Sequence, residues 1–187
     1  MGNAHMKSLK LPGNAGHHAV QFYRDDTRLC QSVADFLADG IAAGQPLVVI
    51  ATPEHRSLIG AELTLRRFPV DRLVADRQLL LLDARKTLSQ FFFRGKLETL
   101  RFRETIGRAI ATVCGRRTDC TVRAYGEMVD LLWRDGKCQE AIELEILWNN
   151  LARSHAFSLL CGYAMGSFYK ETDRHADVCA LHTHVHD

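Results

Sequence analysis

No stretch of this 187-residue sequence approaches the roughly 20 apolar residues that a membrane helix requires, and no hydrophobic signal core opens it. A membrane span and export are therefore not expected, and a cytoplasmic location follows. A G-x-x-x-x-G-K-[ST] phosphate loop is missing, as are a G-x-S-x-G elbow and an H-E-x-x-H zinc motif. The first absence removes the usual cradle of a nucleoside triphosphate. The second removes the nucleophile turn of a serine hydrolase, and Cys161 offers no substitute because it lies inside an apolar strand rather than at an activating turn. The six cysteines form no Cys-x-x-Cys pair, so they are expected as reduced structural thiols rather than a disulfide framework. There is no internal repeat and no low-complexity tract.

What is present is an ordinary globular composition, 47% hydrophobic and 25% charged, with enough chain to bury one core. Residues 1–16 are rich in glycine, asparagine and proline; they are expected to be poorly ordered, with Met1 to His5 as a vector remnant. Residues 17–187 are expected to form a single domain. The net charge is +2, but it is unevenly spread. Lys and Arg dominate between Arg85 and Arg123, whereas Asp and Glu dominate between Ala124 and Asn150. Without aromatic interleaving or a helix-turn-helix signal, this reads as complementary faces meeting within the fold or across a homodimer. It does not read as a nucleic-acid surface.

Apolar periodicity predicts strands at about 17–23, 46–51, 78–83, 121–125 and 157–163. Between them it predicts helices from Asp26 to Gly44, from Pro53 to before Pro69, from Arg85 to Phe93, from Leu97 to Cys114, from Leu131 to a turn at Asp135-Gly136-Lys137, from Glu140 to Ala152, and from Asp173 to Leu181. Phe91, Phe92 and Phe93 are expected as an exposed contact surface, and Trp133 and Trp148 as core or a dimer face. This alternation implies an α/β fold with a mostly parallel central sheet flanked by helices on both faces.

The opening strand, turn and helix have the layout of a nucleotide-binding domain, but the turn is Arg24-Asp25-Asp26-Thr27, with neither glycine nor lysine. Three segments carry a resemblance. The first is His18 to Tyr23 with the helix ending Phe36-Leu37-Ala38-Asp39-Gly40 and Val48-Val49-Ile50-Ala51-Thr52-Pro53-Glu54-His55. The second is Arg123 to Trp133 with Leu144-Glu145-Ile146-Leu147-Trp148, and the third is Phe157 to Tyr163. Together they resemble the MEDS family, the methanogen/methylotroph DcmR-type sensory domains. The resemblance implies a RecA/KaiC-like three-layer sandwich lacking a Walker A loop, and a non-catalytic sensory role without a cofactor. It also implies a small, hydrocarbon-derived ligand, with a histidine kinase or transcriptional regulator as partner. Unlike many members, the sequence shows no attached output module, and whether it is a piece of a longer protein stays open.

In parallel sheets ligands bind at the carboxyl ends of the strands. Tyr23, Arg24, Thr52, His55, Glu127 and Tyr163 are accordingly the expected ligand-binding residues, with no catalytic residue and no metal ligand among them. Glu127 is read either as a ligand contact or as a structural group, capping the next helix or pairing with Arg123. His17 and His18 are expected as core or edge histidines. His182, His184 and His186 would share one side if extended and could chelate a metal; a solvated tail is the reading adopted. Two other functions remain open. One is nucleotide binding without turnover through Arg24 and the first helix N-terminus, which Asp25 and Asp26 oppose. The other is a protein adaptor with no ligand.

Overall fold

Asp25 ends the opening strand and starts the first helix in one step: its carboxylate accepts the backbone N–H of Arg28 at 2.8 Å. That junction sets the pattern of the computed structural model, which describes residues 17–167 and 172–186. The expectation of disorder for 1–16 lies outside the described residues.

The chain runs β1 (His18–Tyr23), α1 (Asp26–Ala42), β2 (Leu47–Ala51), α2 (Pro53–Leu65), α3 (Val70–Ala75) and β3 (Leu79–Asp83). It continues through α4 (Ala84–Ser89), β4 (Phe92–Phe93), β5 (Lys96–Leu97), α5 (Thr99–Cys114) and β6 (Val122–Gly126). Then come α6 (Met128–Arg134), α7 (Cys138–Leu151), β7 (Phe157–Ala164), a short 3-10 turn, α8 (Thr172–Ala180) and β8 (His184–His186). Thr52 caps α2, with Pro53 at its first position, where the missing N–H costs nothing. Asp83 caps α4 by accepting from Lys86 N.

Six strands form one parallel sheet in the order β3-β2-β6-β7-β1-β8. From β1 to β3 the chain advances toward one edge; from β3 to β8 it advances toward the other. The helices change face at that reversal, as crossovers of a single hand require. Leu29, Val33, Phe36 and Leu37 of α1, with Ile59 and Leu63 of α2 and Leu73 of α3, cover one face. Helices α4 to α8 cover the other, with Phe102, Ile106, Leu132, Leu144 and Trp148 in its core. The inner strands β1, β2, β6 and β7 are almost wholly buried, as a sheet covered on both faces requires, and β2 is accordingly an unbroken apolar run.

The expected fold class is therefore observed, with local differences. The helix expected from Arg85 to Phe93 stops at Ser89 and gives way to the β4–β5 hairpin. Arg94 and Gly95 sit at φ 52° and 76°, the left-handed pair a tight two-residue hairpin turn needs. The three phenylalanines do not share one exposure: Phe91 is fully buried, Phe92 partly, and only Phe93 is exposed. Trp133 and Trp148 are both core. Cys114 and Cys120 form a disulfide, which corrects the expectation of six reduced thiols; Gly115, at φ 58°, turns the chain after α5 and the loop returns Cys120 to the helix end. The tail is no solvated extension either, since β8 pairs with β1.

One contact links the sheet to what lies above it. A Cβ added to Gly162 on β7 would stand 2.7 Å from the Tyr125 hydroxyl on β6. Gly162→Ala is expected to lower the unfolding free energy by about 1–3 kcal/mol through overpacking, measured by urea denaturation. Replacing both Cys114 and Cys120 by serine, which opens a short loop, should cost about 2 kcal/mol in the same experiment under non-reducing conditions.

Candidate functional site

Where adjacent parallel strands send their outgoing chains to opposite faces, a crevice is left at their carboxyl ends. This sheet has such places between β1 and β7 and between β2 and β6. Both are filled by charged and phenolic side chains.

At the β2–β6 crevice, Glu127 follows β6 and is 2% exposed. Its Oε1 accepts the backbone N–H of Thr52. Its Oε2 accepts from His55 Nδ1 at 2.6 Å and from the Tyr125 hydroxyl at 3.1 Å. The far nitrogen of His55, Nε2, lies 3.4 Å from Asp26, an exposed carboxylate at the start of α1. Burial works to raise the Glu127 carboxyl, but the His55 and Thr52 hydrogen bonds outweigh it and hold the group below its usual range. The Glu127 hydrogen bond, opposed by burial, raises His55 above its ordinary 6.5. Both shifts favour the ion pair.

At the β1–β7 crevice, Asp130 lies in the first turn of α6. It accepts the backbone N–H of Ala164 at 2.9 Å, the Tyr23 hydroxyl at 3.3 Å and Arg134 Nε at 2.7 Å. Arg134 also donates to the Tyr23 oxygen at 2.7 Å. Burial pushes the Asp130 carboxyl upward, and burial together with Asp130 pushes the Tyr23 phenol upward, so the phenol stays neutral. The nearby Cys30 thiol is pushed up to about 12 by burial and is no nucleophile. The two crevices hold three acidic side chains (Asp26, Glu127, Asp130) and two basic ones (His55, Arg134).

Tyr23, Thr52, His55 and Glu127 are therefore brought together. Arg24 is exposed, and no hydrogen bond or ion pair joins it to this network among the described residues. Tyr163 stands apart: strand alternation turns it to the opposite face, where its hydroxyl donates to Glu145 at 2.9 Å. Glu127 neither caps α6 through its side chain nor pairs with Arg123. Arg123 instead donates to Gln45 and to the Phe36 carbonyl, lying over the Phe36 ring in space that Gly40 leaves free. Tyr125, Asp130 and Arg134 were not read from the sequence as site residues, and Asp26 only as an acid opposing a phosphate. A carboxylate and an arginine four residues apart in the helix after a strand are the signal that could have found Asp130 and Arg134.

A second buried cluster lies under the opposite face, formed by His18, Glu145, Cys161 and His182. Burial opposes ionisation of Glu145, but His182 and His18 hold its carboxyl well below the usual range. His182 is thus fully buried rather than part of a solvated tail. It does not share a face with His184, whose ring meets His17. Two concavities of the surface lie away from both clusters, one between α5 and α7, the other at the amino ends of β2 and β3.

Fold and site define an α/β domain with charged crevices at the carboxyl ends of its parallel strands. Residues 17–183 match the family described as MEDS, the MEthanogen/methylotroph, DcmR Sensory domain, and the chain belongs to that family. No curated protein matches it in sequence. Among the described residues no helix is long and apolar enough to cross a membrane.

The His55–Glu127 pair gives a pH test. His55, raised when folded, contributes fully below its ordinary 6.5, and that contribution fades as pH rises through the raised value. Glu127, lowered when folded, contributes fully above its ordinary 4.5 and loses that contribution as pH falls through the lowered value. His55→Gln should therefore cost about 3 kcal/mol between those limits, because it strands a buried carboxylate. The difference from wild type should shrink on the alkaline side, as followed by urea unfolding across pH.

Proposed function

We propose that this chain is a non-catalytic sensory module that binds a small polar ligand at the two crevices and relays its arrival to a signalling partner. One observation carries the reading: the strand ends hold a buried, ion-paired network where a nucleotide enzyme needs glycines and a lysine. Asp25 already fills the α1 N-terminus with its own carboxylate, and Asp26 adds a second negative charge. Both disfavour a phosphate, and with it the alternative of nucleotide binding without turnover. On this reading the domain is a RecA/KaiC-type sheet that has lost its phosphate loop.

Arg134 is the exchangeable member. It is about half exposed, whereas its partner Asp130 is 3% exposed. A ligand that displaces Arg134 must replace its hydrogen bonds to Asp130 and Tyr23, because an unpartnered buried carboxylate is costly. The ligand class is then a small organic cation or amine. A purely hydrocarbon ligand would leave both groups unsatisfied. Movement of Arg134 would shift the end of α6, where Asp135 pairs with Arg85 of α4 at 3.3 Å and Lys137 lies over the Phe92 ring. The exposed Phe93 is the outlet toward a histidine kinase or regulator.

A thermal-shift panel of small amines, alcohols and halocarbons tests this, with ATP and ADP titrated alongside. An amine at a hundred times its dissociation constant should add about 2.7 kcal/mol of stability, and Asp130→Asn should abolish the shift. Magnesium-dependent ATP hydrolysis lost in Glu127→Gln would overturn the reading. An adaptor without a ligand predicts no shift with any compound and would overturn it equally.

A further inference from the structure

The buried cluster on the other face has features that hydrogen bonding alone does not explain. His18 comes from β1, Glu145 from α7, Cys161 from β7, and His182 from the segment between α8 and β8. His18 Nε2 lies 3.1 Å from Glu145 Oε2 and 3.3 Å from Cys161 Sγ. Cys161 Sγ is 3.4 Å from Glu145 Oε2, and His182 Nε2 is 3.4 Å from Glu145 Oε1. All four ligand atoms lie within 4.8 Å of one another. The edges of a tetrahedron of nitrogen, oxygen and sulfur donors around zinc are about 3.3–3.6 Å long, from bond lengths of about 2.0–2.3 Å.

The outer nitrogens of both imidazoles are already committed. Asn149 donates its amide Nδ2 to the Leu181 carbonyl at 3.0 Å, which can only accept. Asn149 Oδ1 must therefore face His18, and His18 Nδ1 donates to it at 2.9 Å. His182 Nδ1 likewise donates to the Val178 carbonyl at 2.7 Å. With Nδ1 protonated, each neutral ring turns an Nε2 lone pair inward, the tautomer of an Nε2 metal ligand. His182 Nε2 is buried without a hydrogen-bond partner. Two buried imidazolium ions around one carboxylate would leave a net positive charge in the core; a single imidazolium on Glu145 balances the charge but leaves the inward nitrogen of the other ring and the thiol with no ion to bind. A divalent ion with two neutral imidazoles, one carboxylate and one thiolate sums to zero.

We propose that His18, Glu145, Cys161 and His182 bind a divalent transition-metal ion of the zinc class as a closed structural site. Four protein ligands leave no open position for substrate. Binding replaces the Cys161 S–H bond with a metal–sulfur bond and releases that proton to solvent. The Tyr163 hydroxyl supports the carboxylate as Asn149 supports His18. Because His182 lies just before β8, the ion adds a tie between the last strand and the domain interior to the pairing of β8 with β1.

The test uses the full chain, stripped with a chelator and titrated with zinc(II) or cobalt(II). About one equivalent should bind, and cobalt should give the visible bands of a tetrahedral site with a thiolate charge-transfer band. Cys161→Ser should abolish the charge-transfer band and His182→Gln the stoichiometric binding, with folding checked by circular dichroism. Asn149→Ala should weaken affinity about 10–100-fold, while His184→Ala should leave it unchanged. The proposal is overturned if the wild-type chain gives no thiolate–cobalt band, a result independent of whether any variant folds. Unchanged metal content in His182→Gln would overturn it too.

Discussion

A single buried carboxylate organises the carboxyl edge of this sheet. Glu127 is held by a backbone N–H from the β2–α2 junction, by His55 one turn into α2, and by a tyrosine from its own strand. These contacts fix how α2 leaves β2 relative to β6, and so determine the shape of the crevice between them. Tyr125 reaches Glu127 through a gap that exists only because β7 carries a glycine beside it. The packing of three strands and the ionisation of one acid are the same constraint.

That constraint also bears on activity. A strand-terminal acid that activates water must be available to it, with a cation for the phosphates close by. Glu127 has its lone pairs committed to His55, Thr52 and Tyr125, and the turn before α1 supplies carboxylates where a lysine would be needed. On the proposed sensory reading, the arginine at the rim of this network is the member a ligand would exchange.

The sequence made some of this legible and hid the rest for identifiable reasons. The parallel sheet could be read because strands buried on both faces leave unbroken apolar runs, such as Leu47 to Ala51. Tyr23, Thr52, His55 and Glu127 could be placed because strand ends in such sheets converge. Tyr163 was misplaced by one residue of alternation: Ala164, not Tyr163, reaches the crevice, and it does so through its backbone. Asp130 carries no local sign of burial, because an acid in the first turn of a helix needs none. The β4–β5 hairpin was masked by a Phe-Phe-Phe run that suits a helix equally well. β8 is three residues long and owes its existence to pairing with β1, which no local propensity records. The cluster of His18 and His182 joins opposite ends of the sequence, and only the fold brings them together.

The two buried clusters meet in β7, and this limits how the domain can move. Cys161 and Tyr163 point toward Glu145, while Leu160 and Gly162 point toward α1 and Tyr125. A one-residue slip of β7 would put a side chain against the Tyr125 hydroxyl and remove the thiol and phenol from Glu145 at once. Its neighbour β1 is pinned in the same way, by His18 at one end and Tyr23 at the other. The central strands are therefore fixed in register. Helix α6 is held differently, because its last residue, Arg134, faces both the crevice and solvent. On the proposed sensory reading, a signal would travel through the helix layer, across a sheet that stays fixed.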